Sequence, residues 1–245
     1  MKIDYSNISK TYDNYRSYNR SQIQQLIRFG KLENGMRILD VGCGTGNLST
    51  QFKGCIKAES IGIDKSFQML KKAKAKALQV LCADVNYYLP FNDHSFDAII
   101  GAYVIHHIKN RLTLIAECFR ILRDTGSLIF LTSSHDQLER LHPVIKEFFP
   151  SLIELDKERF PDISELDYFF KTAGFRNIKH EELIVNKIPI DMTYLDKVKN
   201  KFVSTFHLLP ENEFNKGIEE LEAFIKSNEE PVYRDWCGTM VYGEK

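Results

Sequence analysis

The chain has 245 residues, of which 43% are hydrophobic, so it can bury a substantial core and is not disordered as a whole. Its 33 basic and 33 acidic residues give a net charge of zero, which argues against long-range attraction to nucleic acid or to an anionic membrane. No apolar run approaches the roughly 20 residues that span a bilayer, and the start lacks the apolar region of a signal peptide. We therefore expect a cytoplasmic protein, with five scattered cysteines that form neither a metal site nor a disulfide framework.

Short apolar runs that end in an acidic residue or a glycine alternate with helical segments through the first half of the chain. These runs predict strands at residues 37–41, 60–64, 77–84, 96–102 and 127–134. Helical patterns occupy residues 66–77 and 110–122, and the sequence RDTG at 123–126 predicts a turn. Strands separated by helices of this length pair in parallel through right-handed crossovers. The pattern therefore predicts a doubly wound α/β fold.

The second half continues this alternation. A capping box that starts at Ser164 opens a helix, Gly174 closes it, and strands are predicted at 175–185 and 236–244. Two apolar stripes around Pro210 predict a pair of helices at about 191–226, inserted as a lid between the last two strands.

The chain shows no repeat and no Pro/Gly-rich linker, so we expect one domain over residues 1–245. Within it, residues 1–35 form N-terminal cap helices that precede the first strand. Residues 36–133 form a cofactor-binding core, and residues 134–245 form a substrate-side half.

Three glycines follow the first strand at alternate positions, Gly42, Gly44 and Gly46. In open α/β sheets the first strand-to-helix loop lets a ligand approach backbone N–H groups, and glycine permits that approach. A dinucleotide fingerprint would need a glycine at position 47, which is Asn47, so a pyrophosphate site is disfavoured. Asp64, at the end of the second strand, is placed to accept hydrogen bonds from a ribose diol. Together, the three glycines and Asp64 indicate a site that binds a nucleoside.

The third strand ends near a second acid, Asp84. Its carboxylate suits an adenine amine, the N–H of Val85 suits a ring nitrogen, and Met69 can cover the face of the base. The alternative interpretation is that an acid at a strand end is a turn residue or a helix cap. In this order along the chain, the residues together favour an adenosine site.

Four segments carry a family resemblance: ILDVGCGTG, IGIDKSFQML, CADVNYYLPFNDHSFDAIIGAYVIHHI and AECFRILRDTGSLIF. They resemble the successive motifs of class I S-adenosylmethionine-dependent methyltransferases of the UbiE and methyltransferase-11 group, over about residues 36–133. The resemblance implies a Rossmann-like seven-stranded sheet with an antiparallel last strand and S-adenosylmethionine as the cofactor.

The resemblance also implies which residues bind the cofactor. The three glycines would lie beside the methionine portion, Asp40 would orient its amino group, and Arg16 would pair with its carboxylate. The full cofactor-binding set is Asp40, Gly42, Cys43, Gly44, Gly46, Asp64, Lys65, Met69, Asp84, Val85, Ala102, Tyr15 and Arg16.

Methyl transfer from a sulfonium is an in-line displacement, so the protein mainly orients the acceptor and excludes water. His106 and His107 follow the fourth strand, and the resemblance favours His107 as the catalytic base. The alternative is that both histidines only cap or pack the next helix. Candidates for binding the acceptor are Tyr12, Tyr103, His135, Phe202 and Phe206, although phenylalanines at helical spacing are commonly core residues.

The predicted function is methyl transfer to a small molecule at oxygen, nitrogen, sulfur or an activated carbon. The alternatives are an RNA or protein methyltransferase and an S-adenosylmethionine-binding protein without catalysis. The lysine run at 71–77 raises the possibility of RNA, but a solvated helix face explains it better. Between monomer and homodimer the sequence does not decide.

Overall fold

A seven-stranded sheet is the framework of this computed structural model, which describes residues 8–9, 11–140 and 143–245. The strands are β1 (Arg37–Val41), β2 (Glu59–Asp64), β3 (Gln79–Cys82), β4 (Phe96–Ala102), β5 (Leu122–Thr132), β6 (Arg176–Pro189) and β7 (Tyr233–Glu244). Their order across the sheet is β3-β2-β1-β4-β5-β7-β6. The first five strands pair in parallel, whereas β7 is antiparallel to β5. The predicted Rossmann-like α/β fold is confirmed.

Helices follow most of the strands, as the alternating pattern predicts. They are α1 (Tyr12–Tyr15), α2 (Arg20–Phe29), α3 (Asn47–Phe52), α4 (Phe67–Ala75), α5 (Arg111–Ile121), α6 (His135–Glu139), α7 (Pro143–Phe148), α8 (Leu152–Arg159), α9 (Ile163–Ala173), α10 (Met192–Lys199) and α11 (Glu211–Ser227). Short 3-10 helices lie at Ile105–His107 and Ser204–His207.

The described residues divide into two compact units. The sheet unit comprises the described residues up to 132 together with 161–183 and 239–245. The helical unit comprises the described residues of 133–160 and 184–238. That the whole chain is a single domain stays a prediction.

The sheet unit is built around strands that are buried on both faces. Ile38, Leu39 and Val41 of β1 are fully buried, as are Ile99 and Ile100 of β4. Such continuous apolar runs are typical of a parallel sheet covered by helices on both sides. The loops at the carboxyl ends of these strands therefore emerge from a fixed framework.

The helical unit has its own core, in which phenylalanine rings pack against one another. Phe149 lies 5.1 Å from Phe206 between ring centroids, and Phe206 lies 5.9 Å from Phe214. The predicted apolar stripe is buried at Leu195 and Val198. Met192, at the start of this stripe, is 51% exposed, because it is the first residue of α10 and follows the N-cap Asp191.

Two local predictions are wrong. The expected turn at 123–126 lies inside β5, where the register moves from Phe96 opposite Leu122 to Ala98 opposite Ser127. The extra residues bulge there, held by a 2.5 Å hydrogen bond from Arg123 to the Asp97 carboxylate. Helix α9 is capped by Asp162 rather than Ser164, because the Asp162 carboxylate accepts the Ser164 N–H at 2.8 Å.

Candidate functional site

A pocket opens at the carboxyl ends of β1, β2, β3 and β4, within the sheet unit. It encloses about 660 Å³ of space, with the solvent at its mouth included. Its lining residues are Tyr12, Gly42, Gly44, Asp64, Lys65, Met69, Asp84, Val85, Asn86, Ala102, Tyr103, Val104, His107 and Ile108. Strands β2 and β3 lie on one side of β1, and β4 lies on the other. The loop after β1 therefore separates Asp64 and Asp84 from residues 102–108. We call residues 42–46 the glycine loop and residues 102–108 the acceptor end.

The glycines of the glycine loop serve different purposes. All three have left-handed backbone, with φ of 69°, 54° and 74° at Gly42, Gly44 and Gly46. A Cβ at Gly42 would lie 2.3 Å from Cγ2 of Val104, whereas a Cβ at Gly44 would meet nothing within 4 Å. Gly44 therefore borders open space in the pocket, where a ligand can approach the backbone.

Gly46 was expected at the cofactor and is not among the lining residues. A Cβ there would lie 2.9 Å from Cδ2 of Leu78, so its small size serves packing against the protein. Cys43 is also outside the lining, because it is buried, and its Sγ lies 2.5 Å from where a Cβ of Gly62 would be.

The Asp64 carboxylate is held by two backbone donors. The N–H of Gly44 donates to Oδ2 at 3.0 Å, and the N–H of Ser66 donates to Oδ1 at 2.7 Å. Burial raises the pKa of Asp64, and these two hydrogen bonds oppose that rise. Backbone donors thus fix the carboxylate in the pocket lining, where it can accept hydroxyl donors.

Asp84 is oriented by the side chain two residues further on. Its Oδ1 accepts from the backbone N–H of Asn86 at 3.0 Å and from Nδ2 of Asn86 at 2.7 Å. Val85 and Met69 are buried and line the pocket beside it. An acceptor oxygen and two apolar side chains thus share one side of the pocket, which suits a flat, amine-bearing base.

The acceptor end follows β4. Tyr103 has left-handed backbone, with φ of 52°, and its N–H donates to the Leu131 carbonyl at 2.8 Å. His107 lines the pocket and His106 does not; the ring centroids of the two histidines are 4.0 Å apart. His106 is buried. The imidazole of His107 therefore borders the pocket; its role as a base stays a prediction.

The N-terminal helix contributes Tyr12 to the lining. Tyr15 and Arg16 do not line the pocket, and the carbonyl of Arg16 accepts from Nδ2 of Asn47 at 2.6 Å. Their assignment to the cofactor stays a prediction. Burial raises the pKa of Tyr12, so its hydroxyl is protonated at neutral pH.

Asp40 lies behind the glycine loop, 2% exposed and outside the lining. The Ser49 hydroxyl donates to its Oδ2 at 2.5 Å. Burial, aided by the charge of Asp64, raises the pKa of Asp40 to about 7. Its proposed action on a ligand amino group stays a prediction.

Three of the predicted acceptor residues belong to the helical unit. His135 begins α6, and its Nε2 lies 2.9 Å from the Phe160 carbonyl oxygen. Phe206 is 1% exposed in the phenylalanine core, and Phe202 packs against that core. Their role in acceptor binding stays a prediction.

The sequence reading missed Asn86, Val104 and Ile108 in the lining. Asn86 follows an acid by two residues, a spacing typical of Asx turns, which was the available signal. Val104 and Ile108 flank the histidine pair. The spacing of apolar residues there cannot distinguish a residue that lines a pocket from one that lies in the core.

The described residues contain neither a candidate metal site nor a candidate membrane-spanning helix. No group of three or more His, Cys, Asp or Glu side chains there is placed to hold a metal ion. Over the same ranges, no helix combines the length and the apolarity needed to cross a bilayer.

Comparison with known proteins points to one family. A family model described as "Methyltransferase domain" matches residues 39–130. The demethylmenaquinone methyltransferase of Lactococcus lactis is 25% identical over 209 residues, covering 73% of this chain and 82% of that protein. The Staphylococcus carnosus enzyme of the same name is 25% identical over 226 residues, covering 79% of this chain and 92% of that protein.

Solved structures share the fold. A putative methyltransferase from an antibiotic biosynthesis pathway of Anabaena variabilis aligns with a TM-score of 0.75 at 20% identity, over 94% of this chain and 98% of that one. A Haemonchus contortus phosphoethanolamine N-methyltransferase, solved with S-adenosyl-L-methionine, aligns with a TM-score of 0.65 at 17% identity, over 98% of this chain and 57% of that one.

The pocket residues fit a nucleoside cofactor, because the space beside Gly44 admits a ligand against the backbone and a fixed carboxylate stands next to it. Residues 39–130 match a methyltransferase domain, and the curated relatives support a class I S-adenosylmethionine-dependent methyltransferase.

Proposed function

We propose that this methyltransferase acts on a small phenol, hydroquinone or enol, at the oxygen or at the adjacent carbon. The observation that carries the proposal is the composition of the acceptor end. His107 supplies an imidazole, Tyr103 an aromatic ring, and Val104 and Ile108 apolar walls. The acids among the described lining residues follow β2 and β3 instead. A cationic amine would favour a carboxylate at this end, whereas a neutral aromatic acceptor needs apolar walls and one base.

S-adenosylmethionine supplies an activated methyl group to this pocket. In our proposal, Asp64 accepts the ribose hydroxyls, and Asp84 with the N–H of Val85 recognises the adenine. Met69 covers the base, and Gly42 and Gly44 leave room for the methionine portion. The support is the shared lining and the two backbone donors that fix Asp64.

His107 takes the proton of the acceptor hydroxyl in this proposal. An acceptor O–H becomes a stronger nucleophile, at oxygen or at the conjugated carbon, as a base removes its proton. Val104 and Ile108 exclude water around it, and Tyr12 closes the pocket from the N-terminal side. The chain thus contributes orientation, a base and a dry surface.

The proposal is tested by the choice of acceptor. The curated relatives are named for demethylmenaquinone, so the reduced form of that quinone and 1,4-dihydroxynaphthalene are the first acceptors to use. Histamine serves as the amine for comparison. We expect S-adenosylhomocysteine release, measured by mass spectrometry, with the hydroquinones and not with histamine. Turnover of the amine alone would contradict the acceptor class.

The cofactor assignment has a separate test. Asp64→Ala removes the carboxylate and is expected to weaken S-adenosylhomocysteine binding by about 1.5 to 3 kcal/mol, the range for charge-assisted hydrogen bonds. Asp64→Asn keeps the shape and one acceptor oxygen, so it should fall between wild type and the alanine variant. Equal affinities for all three by calorimetry would remove Asp64 from the cofactor site.

A further inference from the structure

Asn86 connects the two sides of the pocket through a single amide group. Its Nδ2 donates to Oδ1 of Asp84 at 2.7 Å, and its Oδ1 accepts the backbone N–H of Lys109 at 2.8 Å. A carboxylate requires a donor and a backbone N–H requires an acceptor, so the two partners determine which way the amide faces. Asp84 follows β3, whereas Lys109 follows the acceptor end beyond β4.

The Asp84 side of this connection fixes a carboxylate. The backbone N–H of Asn86 donates to the same Oδ1 at 3.0 Å, so one oxygen of Asp84 receives two hydrogen bonds from one residue. Two donors on one oxygen define the plane of the carboxylate. Hydrogen bonds to a charged acceptor are among the stronger ones in proteins, so this orientation is held firmly.

The Lys109 side fixes the segment that carries His107. The 3-10 helix Ile105–His107 is closed by the His107 N–H donating to the Val104 carbonyl at 2.8 Å. Lys109 comes two residues later, so the bond to Asn86 anchors the end of this short helix. The position of the His107 ring in the pocket therefore depends on an anchor outside its own segment.

The loop that contains Asn86 has other anchors, so it does not need this amide to stay in place. The N–H of Leu89 donates to Oε2 of Glu117 at 2.8 Å, and Nη2 of Arg120 donates to the Leu89 carbonyl at 3.0 Å. Nη1 of Arg120 also donates to the Phe91 carbonyl at 2.9 Å. An Asn86 variant is therefore expected to fold with the loop attached to α5.

We propose that Asn86 is a positioning residue with two functions: its amide NH₂ orients Asp84 for the adenine amine, and its amide oxygen holds the segment that places His107 at the acceptor. The inference rests on the proposed function of Asp84 and His107. It predicts that one side chain affects both the choice of base and the rate of methyl transfer.

The base-selectivity test uses S-adenosylhomocysteine and S-inosylhomocysteine, which has an oxygen in place of the exocyclic amine. In wild type we expect tighter binding of the adenosine compound, and Asp84→Ala should reduce the preference, with a remainder from the Val85 N–H, which meets an N–H instead of a ring nitrogen in the inosine compound. Asn86→Ala should reduce the preference by about tenfold, the equivalent of one hydrogen bond to a charged group. Asn92→Ala, an exposed asparagine of the next turn, is the matched control and should keep the wild-type preference.

The rate test separates the two hydrogen bonds of the amide. Asn86→Asp keeps an oxygen for the Lys109 N–H but loses the donor to Asp84, so it should lose base preference while retaining most of kcat. Asn86→Ala loses both bonds, so its kcat at saturating cofactor and acceptor should fall about fivefold to tenfold, as expected for a misplaced catalytic group.

Two outcomes would overturn the proposal. If Asp84→Ala keeps the wild-type preference, the adenine assignment is wrong and the role of Asn86 falls with it. If Asp84→Ala lowers the preference but Asn86→Ala keeps it, or lowers affinity for both compounds equally together with Tm, Asn86 is only structural and the assignment of Asp84 stands.

Discussion

Asp13 and Lys76 form an ion pair at 2.8 Å that ties the N-terminal helix to the residue that caps the end of α4. Thr45 of the glycine loop donates to Oδ1 of the same Asp13 carboxylate at 2.5 Å. Partial burial opposes ionisation of Asp13, but the hydrogen bonds from Lys76 and Thr45 outweigh it, so its pKa lies below the ordinary value. Asp13 therefore carries its charge at neutral pH and binds both partners.

The Asp13–Lys76 ion pair, which we call the latch, helps to hold the helix that brings Tyr12 to the pocket. Both charged side chains are about one-third exposed, at 30% each, so the pair contributes no more than about 1 kcal/mol. The helix has only four residues, and besides this pair it is attached by hydrogen bonds from Thr45 to Asp13 and from Asn47 to the Arg16 carbonyl, so it can detach and return. We expect its detachment to control release of the cofactor product.

The first prediction follows from this latch. Asp13→Asn and Lys76→Met should each raise the dissociation rate of S-adenosylhomocysteine about threefold to fivefold, the equivalent of losing up to about 1 kcal/mol. The rate is measured by chasing bound, labelled product with unlabelled product. Lys74→Met, an exposed lysine of the same helix, is the control.

The double variant sharpens this test. Because each single variant already breaks the ion pair, Asp13→Asn with Lys76→Met should release S-adenosylhomocysteine about as fast as the faster of the two single variants. Rates that match wild type in both single variants, or that multiply in the double variant, would show that the pair does not hold the helix.

The second prediction concerns the glycine loop. Gly44→Ala adds a methyl group to open space at φ of 54°, which costs about 1 to 2 kcal/mol of stability for the left-handed backbone. It should fold, yet bind S-adenosylhomocysteine at least tenfold more weakly, because the methyl group occupies the ligand's approach. Gly42→Ala should lose more stability, since its Cβ would lie 2.3 Å from Val104.

Gly35→Ala is the matched control for this pair. Gly35 also has left-handed backbone, at φ of 84°, with nothing within 4 Å of its Cβ position, and it is not among the pocket residues. Gly35→Ala should have the same Tm as Gly44→Ala, and its affinity for S-adenosylhomocysteine, measured by calorimetry, should equal that of wild type. Wild-type affinity in Gly44→Ala would mean that no ligand comes close to this loop.

The strands of the sheet unit were largely predictable from sequence, and these glycines show why the site was less so. Strands β1 and β4 begin and end where the apolar runs predict, because strands buried on both faces read as continuous apolar segments. Glycine spacing alone cannot separate a position open to a ligand from one that packs against protein. Gly46 belongs to the second kind, since a Cβ there would approach Leu78.

The latch and the hydrogen bonds of Asn86 to Asp84 and Lys109 could not be predicted from the sequence, for a different reason. Asp13 and Lys76 read as ordinary surface charges, and their pairing depends on where α1 and α4 meet in three dimensions. Asn86 reads as a turn residue, and its bond to Lys109 joins loops after two strands that are not neighbours in the sheet. Local patterns carry no information about such contacts.

The third prediction concerns the base. His107→Ala should lower kcat by about 10² to 10⁴, the usual contribution of general base catalysis, with S-adenosylhomocysteine affinity within twofold of wild type. Single-turnover rates with a hydroquinone acceptor measure the chemical step. His106→Ala removes a buried ring beside His107 and should affect Tm more than kcat. Wild-type turnover in His107→Ala would leave this residue as a wall of the pocket.

The fourth prediction is a pH dependence of stability caused by Asp40. Its pKa is raised to about 7 in the folded protein, first by burial, against an ordinary value of 3.8 in the unfolded chain. Between about pH 4 and pH 7 the folded state therefore holds a proton that the unfolded state has released. The free energy of unfolding should fall as pH rises through this window, by up to about 1.4 kcal/mol per pH unit, and level off above it.

Asp40→Asn isolates this effect. The amide oxygen can still accept the Ser49 hydroxyl and never ionises, so the variant should lack the decline and exceed wild type in stability at pH 8. Urea unfolding of both proteins at pH 5 and pH 8, without cofactor, measures the difference, in which the titration of all other groups cancels. Ser49→Ala removes the hydrogen bond that favours the ionised carboxylate, so its decline should extend to higher pH. Parallel profiles for wild type and Asp40→Asn would show that Asp40 is ionised in the fold throughout this range, because a carboxylate that titrates normally adds no pH dependence to folding.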